Sequence, residues 1–305
     1  MNERTLRIAV ATLAMSGFGM MVSACRPAGE SAKAAGSAEA AEADGKRHPI
    51  TGTVVSVLRE RGSLLVDHDE IPGYMPRMTM EFSVTAGDLA LARDGAALRA
   101  TLVEGKTGEF RLEGVWWETP ESALAVKKAA ASLREETGIR GRGAYREVGE
   151  NLPDFALYNQ NGEVAQAARW SGKQVMLNFI FTRCPIATMC PASTMRMMET
   201  QRLAKEAAVA NIEFVSITLD PEYDTPGVLR EYAEARGIDT GNFSFLTGPE
   251  GAIKDLLKQF GILTEMDGPI LKHTLATLLI NEQGRIVWRA DGSSWEPKEF
   301  VEKMK

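Results

Sequence analysis

The chain has 305 residues, with 35 basic and 41 acidic side chains, a formal net charge of −6 and 44% hydrophobic content. That length suits two domains of ordinary size, the composition is that of a folded globular protein, and the acidic balance lacks the basic footprint that nucleic-acid binding needs. Cysteine and histidine occur only three times each, whereas methionine occurs fourteen times, so every Cys and His carries information.

Arg4 and Arg7 precede an apolar run over residues 8–22, the pattern of a charged n-region followed by the h-region of an export signal. Val22-Ser23-Ala24-Cys25 then resembles a bacterial lipobox, which implies lipidation of Cys25 and a chain held at the periplasmic side of a bacterial membrane. An uncleaved membrane anchor is the alternative, because a span takes about 17 to 25 apolar residues. Either reading exports the chain. With Cys25 assigned to lipid, Cys184 and Cys190 are the remaining pair, and in an exported compartment they oxidise unless a reductant or a metal protects them.

Residues 26–47 are mostly Ala, Gly, Ser, Glu and Lys with no large apolar side chain, which predicts a spacer. Alternating patterns then predict short strands over 50–58, 63–68, 78–84, 97–104 and 110–117, broken at Gly62, Pro72-Gly73, Gly87, Gly95 and Gly105. Five short strands over 48–118 predict a small all-β barrel of the OB type. Residues 122–137 have helical spacing and 138–143 (GIRGRG) hold three glycines, so 119–144 reads as a connecting helix and a hinge.

From residue 145 to 305 strands and helices alternate. Strands are predicted over 155–158, 175–181, 212–219, 243–246, 275–281 and 286–290, and helices over 192–209, 225–236, 249–260 and from 296. The alternation predicts an α/β domain, its last two strands joined as a hairpin at Asn281-Glu282-Gln283-Gly284.

The run over 175–198, VMLNFIFTRCPIATMCPASTMRMM, places two cysteines where a buried strand becomes a helix. Unpaired N–H groups at a helix start favour a thiolate, and strand, cysteine loop and helix in a βαβ setting is the thioredoxin-like arrangement. Five residues separate Cys184 from Cys190, where thioredoxins have two. The wider loop can close a disulfide or turn both sulfurs toward one ion. His273 precedes the strand predicted over 275–281, in a position expected to face the cysteine loop. Two thiolates and an imidazole form a soft, three-coordinate set suited to Cu(I), whereas structural zinc takes a fourth closed ligand. Met195, Met197 and Met198 fall on the following helix and read as core, while Met189 inside the loop is an even choice between ligand and filler.

These blocks, Phe181-Thr182-Arg183-Cys184-Pro185 with Cys190-Pro191, the run 215–226 (VSITLDPEYDTP) and His273 ahead of residues 281–287 (NEQGRIV), resemble the SCO/SenC family of copper-binding thioredoxin-like proteins. The resemblance implies that Cys184, Cys190 and His273 hold copper, with Asp220 and Asp224 as helpers near the site. The family's usual spacing is C-x-x-x-C, so two further residues are inserted here. In the first domain, Met78 and Met80 stand two apart on one strand and share a face, near His68 and Met75. Thioethers with an imidazole suit Cu(I), although paired methionines also fill barrel cores. His68 followed by Met75-Pro76-Arg77-Met78-Thr79-Met80 resembles the CusF-like copper-binding domain, which implies His68, Met78 and Met80 as ligands, with Met75 where that family has a capping tryptophan. His48 reads as structural or solvent-facing.

Together the two resemblances imply a membrane-tethered copper chaperone: a thioredoxin-like α/β domain behind an OB-type barrel, passing Cu(I) to a copper acceptor such as a cytochrome oxidase subunit and needing a thioredoxin-like reductant. The alternative is a thiol–disulfide oxidoreductase, with Cys184 as the attacking thiolate and Cys190 as the resolving thiol. Against it, Thr274 stands where thioredoxins place a cis-proline.

Overall fold

The computed structural model describes residues 45–304 apart from 142, 268 and 269, so the lipidation site expected at Cys25 lies outside the described residues. β1 (Arg47–Leu58), β2 (Ser63–His68) and β3 (Met78–Ser83) are followed by α1 (Ala86–Leu91), β4 (Ala97–Glu104) and β5 (Phe110–Trp116). The strands follow the expected alternation: Leu64, Val66 and His68 point inward from β2, against Phe82, Met80 and Met78 directly opposite on β3. They close into a barrel in the order β1-β2-β3-β5-β4, filled by Ile50, Val54, Leu64, Val66, Phe82, Leu98, Leu102, Leu112 and Val115. Sequence patterning missed α1. Its start is marked by Thr85, whose side chain accepts from Asp88 N–H.

The connecting helix α2 (Pro120–Arg140) is longer than expected at both ends. It opens with a reciprocal Thr119/Ser122 capping box and Pro120 in the first turn, and it runs through Gly138, so residues 138–140 are helix rather than hinge. Leu133 joins the core of the α/β part, and Arg134 reaches Asp255 at 3.3 Å. A small cluster of Trp116, Val126, Ala156 and Tyr158 continues the packing from β5 through α2 into the next strand. The described residues form one compact unit.

The α/β part contains β6 (Ala156–Asn159), β7 (Val164–Gln166), β8 (Gln174–Ile180), α3 (Cys190–Glu206), β9 (Ile212–Thr218), α4 (Pro226–Ala235), β10 (Phe243–Thr247) and α5 (Glu250–Gln259). It ends with β11 (Thr264–Asp267), β12 (Ile270–His273), β13 (Ala276–Ile280), β14 (Ile286–Asp291) and α6 (Pro297–Lys303). Seven strands form one sheet in the order β14-β13-β8-β9-β10-β6-β7. β8, β9 and β10 are parallel at its centre, and β13 and β6 run antiparallel beside them. The central strands are buried on both faces, which is why they read as continuous apolar runs. β11 and β12 form a separate two-stranded hairpin, where the sequence predicted only a loop. Among the described residues no helix is long and apolar enough to cross a membrane.

Candidate metal centres

Cys184 lies in the loop after β8, Cys190 opens α3 and His273 closes β12. Although five residues separate the cysteines, the Cys184 and Cys190 sulfurs and a His273 ring nitrogen all lie within 4.8 Å of one another. The ring is oriented by its own backbone: Nδ1 lies 3.0 Å from the Thr274 carbonyl oxygen, which can only accept, so Nδ1 carries the proton. Nε2 is left with its lone pair toward Cys190 Sγ, 3.3 Å away. A hydrogen bond that fixes the tautomer and frees the other nitrogen is the usual support of a metal-ligating histidine. Phe181 packs edge-on against the ring at 5.5 Å.

The two thiols are not equivalent. Cys190 is fully buried, and the adjoining Cys184 sulfur together with that burial pushes its thiol above the ordinary range. Cys184 is half-buried, and the hydrogen bond from Cys190 brings its thiol down to about 4 against the opposing effect of burial. The pair therefore shares one proton, with the thiolate on the accessible sulfur.

The residues ahead of Cys184 are held by the segment between β9 and α4. Buried Asp224 accepts from Thr182 N–H at 3.1 Å, from the Thr182 hydroxyl and from the Thr218 hydroxyl at 2.5 Å. Burial lifts its carboxyl to about 6 despite these donors. Arg183 pairs with Asp220 at 2.7 Å and lies 4.5 Å over the Tyr223 ring. Beyond Cys184, the Ser293 hydroxyl donates to the Thr188 carbonyl at 2.6 Å. Met189 lines a cleft of about 520 Å³ with Tyr145, His273 and Arg289, so it stands beside the cluster. Met197 is core as expected and Met198 packs against it, but Met195 is exposed.

A family model described as SCO1/SenC matches residues 144–305, more than half of the chain. The chain belongs to the SCO1/SenC family. SCO2-like proteins of Rickettsia typhi and Rickettsia felis are 31% and 34% identical over 156 and 161 residues, covering 48% and 50% of this chain and 74% of each relative. A SCO1/SenC family lipoprotein from Bacillus anthracis is similar in structure at 27% identity and a TM-score of 0.48, over 53% of this chain and 97% of that one. ScoI of Bradyrhizobium japonicum, solved with copper bound, is similar at 23% identity and a TM-score of 0.44, over 52% and 98%. The α/β part is the SCO1/SenC portion of the chain. A second family model, described as copper binding periplasmic protein CusF, matches residues 47–116.

In that barrel, His68 is fully buried, 5.9 Å from Phe82 and directly across from Met78, while Met80 faces Val66 two pairs along. His68 repeats the arrangement of His273: Nδ1 lies 2.7 Å from the Asp69 carbonyl oxygen, and buried Nε2 has no partner. An imidazole nitrogen so buried and unpaired costs stability unless something binds it. Met78 is exposed and Met80 half-buried on the same face of β3. Met75 sits in the preceding turn, bridged to Ile71 and packed on the barrel core. Arg77 pairs with Asp67 at 2.6 Å and ties that turn to β2. His48 stacks on Tyr74 with ring centres 3.9 Å apart, and the Tyr74 hydroxyl donates to Glu104 at 2.7 Å, so His48 belongs to an aromatic cap rather than to open solvent.

Proposed function

We propose that this chain is an exported copper chaperone with two Cu(I) sites. Cu(I) is held at Cys184, Cys190 and His273 in the thioredoxin-like domain (residues 145–305), and at His68, Met75, Met78 and Met80 in the barrel (48–118), which we read as OB-type. The observation that carries the reading is the convergence of two sulfurs and a tautomer-fixed imidazole nitrogen within 4.8 Å. Such a set is soft, low in coordination number and poorly suited to closed tetrahedral zinc. The partly buried His68 cluster, with its unpaired Nε2, supports the second site.

A thioether site works whether or not thiols are oxidised, while a dithiolate binds Cu(I) more tightly but only when reduced. Copper would therefore move from barrel to thioredoxin-like domain, then to an acceptor such as the copper centre of a cytochrome oxidase subunit, with a thioredoxin-like protein as reductant. The export signal and Cys25 lipid read from the sequence would hold the chain at the periplasmic side of a bacterial membrane.

Anaerobic titration of the reduced full-length chain against a Cu(I) competitor tests this. Two Cu(I) per chain are expected, falling to one in Cys184→Ser/Cys190→Ser and to one in His68→Leu. Equal stoichiometry in parent and cysteine variants would sink the proposal.

The second reading, a thiol–disulfide oxidoreductase, is favoured by one observation: a half-buried Cys184 sulfur stands beside the fully buried Cys190 sulfur, the arrangement of an attacking and a resolving thiol. His273→Ala separates the two. Copper retention should fall, whereas dithiol exchange should persist.

A further inference from the structure

The segment from Asp220 to Gly227, between β9 and α4, has two loaded ends. One end is the cysteine loop, held through Asp224 and Thr182 as described above. The other end touches the barrel. The barrel's α1 crosses the start of α4 at a pair of glycines so close that a Cβ added at Gly87 would lie 2.1 Å from the Gly227 carbonyl oxygen. A Cβ at Gly227 would lie 2.2 Å from Asp88 Oδ1. Across this contact Gly87 N–H donates to Glu231 Oε1 at 2.5 Å. Gly87, Asp88, Asp224, Thr225, Pro226 and Gly227 are all buried.

The segment between its two ends is stiff. Asp224 N–H donates to the Asp220 carbonyl at 2.9 Å, Thr225 N–H to the Tyr223 carbonyl at 2.9 Å and Leu229 N–H to the Thr225 carbonyl at 2.9 Å. Only Thr225 and Pro226 stand between the residue that grips Thr182 and the residue that bears on the barrel. A close-packed, hydrogen-bonded element transmits a displacement at one end to the other, because it has no void into which to relax.

We propose that the barrel braces the thiol site: Gly87 and Asp88 are positioning residues for Cys184, acting through the Gly227–Asp224 segment and Thr182. The barrel then has a mechanical role in the thioredoxin-like domain that is separate from any metal it holds. The proposal rests on the reading of Cys184 and Cys190 as a functional dithiol, and it does not require copper.

The test uses the full-length chain with Gly87→Ala, whose added methyl must push α1 off Gly227, and with the milder Glu231→Gln, which weakens the acceptor of the Gly87 N–H. Amide exchange at residues 86–91 and 227–231 reads the contact. The Cys184–Cys190 dithiol–disulfide equilibrium against glutathione buffers reads the effect, with metal excluded. Each variant that opens the contact is expected to shift that equilibrium roughly fivefold, about 20 mV for a two-electron couple. His68-dependent Cu(I) binding should stay as in the parent. An equilibrium within twofold of the parent in a variant with opened contact overturns the proposal. Unchanged exchange in both variants also overturns it, since the contact would then hold nothing. If Gly87→Ala fails to fold, Glu231→Gln carries the same decision. A parent that retains no Cu(I) at the cysteines would defeat the copper reading and leave this measurement intact.

Discussion

Asp224→Asn isolates what the buried carboxyl contributes, because the change removes a charge and leaves the shape. Asp224 is fully buried, and burial raises its folded-state value from 3.8 to about 6. An acid raised on folding binds its proton more tightly in the native state. Its stabilisation is complete below the unfolded value near 3.8 and is lost as pH rises through about 6. Integrating between pH 4.5 and 7.5 gives a loss of about 2 kcal/mol from this group alone. The asparagine has no such titration. Its carbonyl can take the place that accepts from Thr182 N–H and Thr218, and its NH₂ then faces the Thr182 hydroxyl, which can turn to accept. Urea unfolding of reduced, metal-free parent and variant at the two pH values is the assay. The parent should lose about 2 kcal/mol more than the variant on going to pH 7.5, other titrating groups cancelling in the difference. Equal losses would refute the reasoning. Asp224→Ala should behave differently: three donors lose their acceptor, each costing about 1 to 3 kcal/mol, and Thr182 is released.

Asp88 is subject to the same logic at the contact between α1 and α4, where burial lifts it to about 7 and Oδ1 has no partner. Its contribution is lost as pH rises through about 7, so parent minus Asp88→Asn should change by about 2.5 kcal/mol between pH 5 and 7.5 in the same assay. Leu133→Ala should cost about 3 kcal/mol by denaturation, since this α2 side chain lies in the core of the α/β part. His68→Leu should leave metal-free stability equal or raised by about 1 kcal/mol, because an unpaired buried nitrogen is removed, while one bound Cu(I) is lost. A large loss of metal-free stability would show that His68 is a satisfied core residue.

Long, patterned elements were legible in the sequence because burial imposes their periodicity. β2 has the predicted bounds, β3 differs by one residue at one end, and the apolar run ahead of Cys184 is the central strand β8. α1 was not legible: six residues are too few for a helical period, and only Thr85 three positions before Asp88 marks its start. The glycine at 138 suggested a break, yet a mid-helix glycine costs only about 1 kcal/mol, less than α2 recovers by packing Leu133 and pairing Arg134. The candidate site was legible as residue types. Cys184, Cys190 and His273 stand out by spacing and by resemblance, and they converge. What holds them was only partly legible. The resemblance puts Asp224 near the site, but its grip on Thr182 joins positions 42 residues apart. The carbonyls of Asp69 and Thr274 that fix the two imidazole tautomers are backbone groups, which no pattern of side chains reveals.

Cys190 is the first residue of α3 and has Pro191 behind it, so its sulfur is attached to the most rigid part of the site. Cys184 sits on a loop whose downstream half, residues 185–189, is fixed mainly through Ser293 and a turn between Ile186 and Met189. Any change of state that draws the sulfurs together or apart must therefore be taken up by this loop and not by the helix. Ile186, at its tip, is exposed. The surface consequence of any change in the sulfur–sulfur spacing therefore falls at Ile186, an apolar side chain already in contact with solvent.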